Sequence, residues 1–189
     1  MQIMEEKMSK VKFDGTRRMS NKEKEELINF IFDAQELYKK HDNKNRFLYD
    51  CFNAMIRPLS LNIGQYNNCK ISRDAKKIIG EFRNIREFER KKTGKNIKRE
   101  HVKPVKVLIE EFNQGFNNRE DVKKWFDSCE IAFITENEDV EIKDAEKDIR
   151  NKKGFNKNNL SSKLVFDIHK EAYEITGLNK KLEKFEIIN

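Results

Sequence analysis

Arg73, Lys76, Lys77, Arg83, Arg90 and Lys91 stand in a stretch whose apolar residues, Ala75, Ile78, Ile79, Phe82 and Ile85, recur at helical spacing. At 100° per residue these cations fall away from the apolar stripe. The pattern therefore predicts one amphipathic helix from about Arg73 to Lys92, basic on its outer side and capped by Ser72. Cations held at such intervals on a rigid element can follow the phosphates of a nucleic-acid backbone. Lys92, Lys95, Lys98 and Arg99 continue the run through a connector. Between Cys69 and Lys106 fourteen Lys and Arg stand against five Asp and Glu, an excess of nine, while the whole chain carries +7. All of the net positive charge thus lies in one segment. A second strip, Arg150, Lys152, Lys153, Lys157 and Lys163, falls where no carboxylate occurs between Ile149 and Phe166, and it extends the same expected surface. Phe155 within it could stack on a base or anchor the loop.

Two other sets of residues could do chemistry. Glu100 beside His101 offers a carboxylate next to an imidazole, fit for a general base or a metal ligand. Val140-Glu141-Ile142-Lys143 resembles the metal-binding half of the PD-(D/E)xK nucleases. That resemblance covers about fourteen residues. It implies that Glu130 and Glu141 would hold a divalent metal, with Lys143 orienting the attacking water, if Ile131–Lys143 formed a hairpin. The chain departs from the family in having no Pro-Asp partner, and Thr135 with Glu138 is a capping box that favours a helix instead. The three His, at positions 41, 101 and 169, have no HxH, HExxH or Cys/His partner, so no metal and no cofactor is expected. His169, beside an apolar stripe, reads as a core-edge residue, and His41 as a helix end. No phosphate-binding glycine loop, nucleophile elbow or tight helix-turn-helix is present.

The elements that must carry these residues follow from caps and periodicity. Ser20 and Glu23 form a capping box that opens a helix from about Asn21 to Lys40. A second helix is predicted from about Lys44 to Ile56, ended by Pro58 and followed by a polar loop over Leu59–Lys70. After the basic helix, Thr93-Gly94 is a stop and Lys95–Lys103 a connector. Pro104 opens a helix that Gly115 ends, and Asn118 caps another through Cys129. Ile131–Ile134 is a short apolar run, either a strand or a continuation of helix. An acidic helix follows over Glu136–Arg150, and a last one over about Ser162–Thr176, before a tail that makes one more turn or an edge strand near Phe185–Ile188. The expected fold is therefore mainly α: a single compact domain of six or seven amphipathic helices, spanning residues 20–189, with at most a small β element. Residues 1–19 lack periodicity and read as a flexible arm. A lobe boundary could fall near residues 115–118.

Composition bounds the function. Charged residues make up 39 % of the 189 residues, yet fourteen Phe and many Ile and Leu suffice for a core. Cys51, Cys69 and Cys129 are odd in number and widely spaced, the pattern of reduced thiols in a cytoplasmic protein. The first eighteen residues contain no apolar run of a signal peptide, and none approaches a membrane span. Lys, Asn and Ile exceed a third of the chain, a low-GC composition that suits a phage or mobile-element accessory protein. The expected function is non-enzymatic: binding DNA, RNA or a nucleoprotein complex through the Arg73–Lys106 face. The alternatives are an interaction or inhibitor module acting on an acidic or nucleic-acid-binding protein, and the metal-dependent nuclease.

Overall fold

The computed structural model describes residues 18–40, 46–67, 69–82, 85–156 and 159–185. Helix α1 (Asn21–Lys40) starts at the predicted box, where Ser20 N–H donates to Glu23 Oε2 at 2.7 Å and Glu23 N–H donates back to Ser20 Oγ at 3.3 Å. Helix α2 (Arg46–Asn67) does not stop at Pro58 but runs through it. Ile56, Ser60, Ile63 and Gly64 are buried at helical spacing along one side, so packing of that side overrides the lost backbone donor. At Gly64 a Cβ would lie 2.3 Å from Ile131 Cγ1 and 2.8 Å from the Cys129 carbonyl oxygen, so only glycine lets this helix approach the sheet so closely.

Strand β1 (Cys69–Ser72) leads directly into α3 (Arg73–Ile79), followed by α4 (Ile85–Lys92), β2 (Ile97–His101), α5 (Val105–Gln114) and α6 (Arg119–Ser128). Strand β3 (Ile131–Thr135) then enters α7 (Glu136–Lys152), and α8 (Ser162–Ile175), α9 (Leu178–Lys181) and β4 (Leu182–Lys184) complete the described chain. The four strands form one mixed sheet in the order β2-β3-β1-β4, with β1 and β3 parallel and both edge strands antiparallel to their neighbours. This overturns the mainly-α expectation: among the described residues nine helices surround a four-stranded sheet. The strands escape periodicity because they are three to five residues long. Two of them were also disguised, β2 by its charge inside the expected basic connector and β1 inside the expected polar loop. The predicted basic helix is likewise two helices. Gly80, at φ +72°, ends α3 and donates its N–H to the Lys76 carbonyl.

Alternation along the strands divides the core. Cys69, Ile71, Ile97 and Phe133 face α3 and α4, where Phe82, Phe88, Phe133 and Phe185 form an aromatic cluster with ring centroids 4.4–5.3 Å apart. Ala132 and Ile134 face Ile142, Ile149, Ile168 and Ala172 on α7 and α8. A third cluster, with Ile31, Ile63, Leu108, Phe112, Trp125 and Phe126, joins α1, α2, α5 and α6. The 115–118 turn is fastened to α1. Gln35 Nε2 donates to the Phe112 carbonyl at 2.6 Å, and its Oε1 accepts from Phe116 N–H at 2.7 Å. Cys69 and Cys129 are free and buried, and burial raises both thiols well above the ordinary range. No helix among the described residues is long and apolar enough to cross a membrane.

Candidate functional site

The basic residues of α3 and α4 form an outer layer on one face of the sheet, because their apolar partners Ala75, Ile79, Phe82 and Phe88 are turned into it. The two short helices are tied together by the cations themselves. Lys91 Nζ donates to the Glu81 carbonyl, and Lys95 Nζ donates to the Ile78 carbonyl at 2.8 Å. Much of the layer is ion-paired. Arg73 and Lys76 share Glu183 of β4 at 3.1 and 3.0 Å, Lys77 meets Asp74 at 3.0 Å, Lys91 meets Glu87 at 3.1 Å and Lys92 meets Glu89 at 2.7 Å. Arg90 is exposed, and among the described residues no carboxylate pairs with it. Asp74 and Glu183 sit below the usual carboxylate range because of the hydrogen-bonded Lys77 and Lys76, with Arg73 adding to both.

The Arg73–Lys106 segment is not one face. Residues alternate along β2, so Lys98 turns to the other side and pairs with Glu136 at 3.1 Å. Arg99 donates to Gln65 Oε1 of α2 at 3.1 Å. In the second strip Lys153 pairs with Glu171 at 2.5 Å, while Lys152 is exposed without an ion pair among the described residues. Arg83 and Lys157 lie outside the described residues.

Alternation also separates Glu100 from His101, so the neighbours in sequence are not a catalytic dyad. His101 is buried against α2, with Nε2 3.1 Å from Ser60 Oγ. Ser60 gives its hydrogen to the Arg57 carbonyl at 3.0 Å, which leaves an oxygen lone pair to accept Nε2–H. Burial, then Arg57, Arg99 and His169, push the His101 pKa down to about 4. The hairpin required by the nuclease resemblance is not formed. Val140–Lys143 is helical, Glu141 is exposed, Lys143 Nζ bonds Asp139 Oδ2 at 2.6 Å, and Glu130 pairs with Lys70 at 2.6 Å.

Glu100 instead joins a cluster that the linear sequence did not reveal. On the sheet face under α7 and α8 it lies near His169, whose Nε2 is 3.9 Å from Glu100 Oε1. His169 Nδ1 stands 2.7 Å from Glu146 Oε1, and Glu146 also meets Arg150 at 3.5 Å. Burial raises the Glu100 pKa to about 6. Asp139 and Glu146 add to this, while His169 and Lys143 oppose it. Burial would raise Glu146 too, but its bond to His169 and the neighbouring Arg150 outweigh that and hold it low. Tyr173, one turn from His169, is buried beside these carboxylates, and its hydroxyl pKa is raised far above normal, chiefly by burial. The missed signal was a polar stripe, Asp139, Lys143, Glu146 and Arg150, running at helical spacing beside the apolar residues Ile142, Ala145 and Ile149.

A second buried carboxylate is structural. Glu138 Oε2 accepts from Ser72 Oγ at 2.6 Å, from Thr135 N–H at 2.8 Å and from Thr135 Oγ at 3.0 Å. One side chain thus joins the caps of α3 and α7, the helices that follow the two parallel strands. Comparison of the chain with protein families, curated proteins and solved structures returned no match.

Proposed function

We propose that this protein binds nucleic acid, alone or within a nucleoprotein complex, through the α3–α4 layer, without catalysing a reaction on it. The observation that carries this reading is the separation of charge by the sheet. The acidic helix α7 holds seven carboxylates against four Lys and Arg, and it packs on the face opposite α3 and α4. Except for Glu138, which bonds Ser72 beside Arg73, its carboxylates are carried on the side of the sheet away from Lys76, Lys77, Arg90 and Lys91. The ion pairs within the layer do not remove it from consideration. Exposed pairs contribute about 0–1 kcal/mol each, and a polyphosphate can exchange for their carboxylates. The low-GC composition supports an accessory role in a phage or mobile element.

The α3–α4 face can be tested against a control on the same chain. Reversing Lys77→Glu with Arg90→Glu is expected to weaken retention on DNA or RNA by at least about tenfold at low salt. Lys98→Glu, on the other face, is expected to change it little. Equal weakening by Lys98→Glu, or no retention of the unaltered protein on either polymer at low salt, would remove the proposal.

A further inference from the structure

The outermost ridge of α4 carries two arginines that the fold does not use. Arg86 and Arg90 stand one turn apart, so they share a side of the helix. It is the side opposite Phe88, which is buried in the aromatic cluster. Both arginines are exposed, and among the described residues neither is ion-paired. The two lysines of the same helix are committed instead. Lys91 meets Glu87 and the Glu81 carbonyl, while Lys92 meets Glu89 and lies 5.5 Å over the Phe133 ring. Like charges at the spacing of Arg86 and Arg90 oppose one another. Arg86 also sits in the first turn of α4, where the helix dipole disfavours a cation. Both costs fall away when an anion lies across the pair.

We propose that Arg86 and Arg90 grip the phosphate backbone of a double-stranded nucleic acid, an inference that rests on the nucleic-acid reading of this face and deepens it. A guanidinium presents a fork of donors that matches two phosphate oxygens, and it is more weakly hydrated than an ammonium. A separation of about 6 Å along the helix lets the two forks take adjacent phosphates. The choice of duplex over single strand follows from where the rings are. Single strands are held by stacking their bases on exposed aromatic side chains. On this face Phe82, Phe88, Phe133 and Phe185 are buried against the sheet, and Ile78, which is 47 % exposed, has no ring to stack. Contact is left to charge, and a duplex carries one negative charge per about 1.7 Å of axis, against about 3.4 Å for one strand. Phosphate contacts fix position without reading bases, so duplexes of unrelated sequence should be held alike.

The experiment measures binding of the full chain, by fluorescence anisotropy across a salt series, to short DNA and RNA duplexes and to their separate strands. In at least one chemistry the duplex should be held about tenfold more tightly than its strands, and the tighter duplex names the polymer. Arg86→Gln should weaken duplex binding about fivefold and shrink the salt slope by about one, while Lys98→Gln, on the opposite face, changes neither. Arg86→Lys keeps the charge and loses the fork, so it should hold the slope and lose part of the affinity. Arg86→Gln should not lower the thermal midpoint, and a lower one would make the arginine structural and overturn the proposal. Single strands held as tightly as duplexes would overturn it too. So would duplex binding that Lys77→Glu with Arg90→Glu weakens but Arg86→Gln does not, which leaves the binding face in place. No retention on any of the four polymers would remove the face itself, and this inference with it.

Discussion

Glu100 and His101 share a peptide bond but sit in opposite environments, and their titrations pull stability in opposite directions. Neutral His101 is what the fold accepts. The unfolded chain takes up a proton below about pH 6.5, whereas folded His101 does so only near pH 4. The stability this provides is full above about pH 6.5 and is lost as pH falls toward 4; a displacement of that size is worth roughly 3 kcal/mol. Glu100 behaves in the reverse sense. Its folded pKa, about 6, lies above the unfolded value, so its contribution is full below about pH 4.5 and is lost as pH rises through 6. Partial exposure limits this to about 1–2 kcal/mol. Urea midpoints in metal-free buffer between pH 4.5 and 6.5 should therefore rise only gently with pH. Glu100→Gln should steepen that rise, and His101→Gln should flatten or invert it. Parallel profiles for the three proteins would contradict this assignment.

Elements are held by a few contacts that neighbouring residues do not advertise. Helix α2 passes through Pro58 because Ile56, Ser60, Ile63 and Gly64 are buried along one side, and the exposed proline costs that helix a backbone hydrogen bond. Pro58→Ala restores the donor without touching the core and should stabilise the protein by about 1–3 kcal/mol, read as a higher thermal midpoint. Glu138 has the opposite role. It accepts from the capping hydroxyls of two helices, so Glu138→Ala strands the buried Ser72 hydroxyl and removes half of the α7 capping box. A loss of about 2–3 kcal/mol is expected, visible as a lower urea midpoint at unchanged slope. Glu138→Gln keeps an acceptor oxygen and should lose less. The capping box was legible in the sequence because its two residues are three apart. The bond to Ser72 was not, since it joins positions 66 residues apart.

At the scale of the molecule the sheet acts as a partition, with a basic layer over the aromatic cluster and an acidic helix under the other face. Such a distribution makes association with a polyanion dependent on salt. The logarithm of the binding constant should fall linearly with the logarithm of salt concentration, and the slope should shrink by about one for each phosphate-contacting cation removed from α3 or α4. A slope unaffected by Lys77→Glu and Arg90→Glu would mean that another surface meets the polymer.

The sequence by itself determined several helices by their caps, Ser20 with Glu23, Asn118, Thr135 with Glu138, and Gly115 and Gly177 at helix ends, because capping and amphipathic periodicity act within a few residues; it did not determine α2, which runs on through Pro58. It also located the cluster of positive charge. Only the tertiary structure decided which way that charge points, since whether Lys98 joins Arg90 or Glu136 depends on β2 being a strand, and that strand exists through its pairing with β3. The same pairing parted Glu100 from His101 and set Glu100 opposite His169, 69 residues away, where two helices and a strand meet. Short strands and buried polar contacts are made by partners distant in the chain, and no local pattern records them.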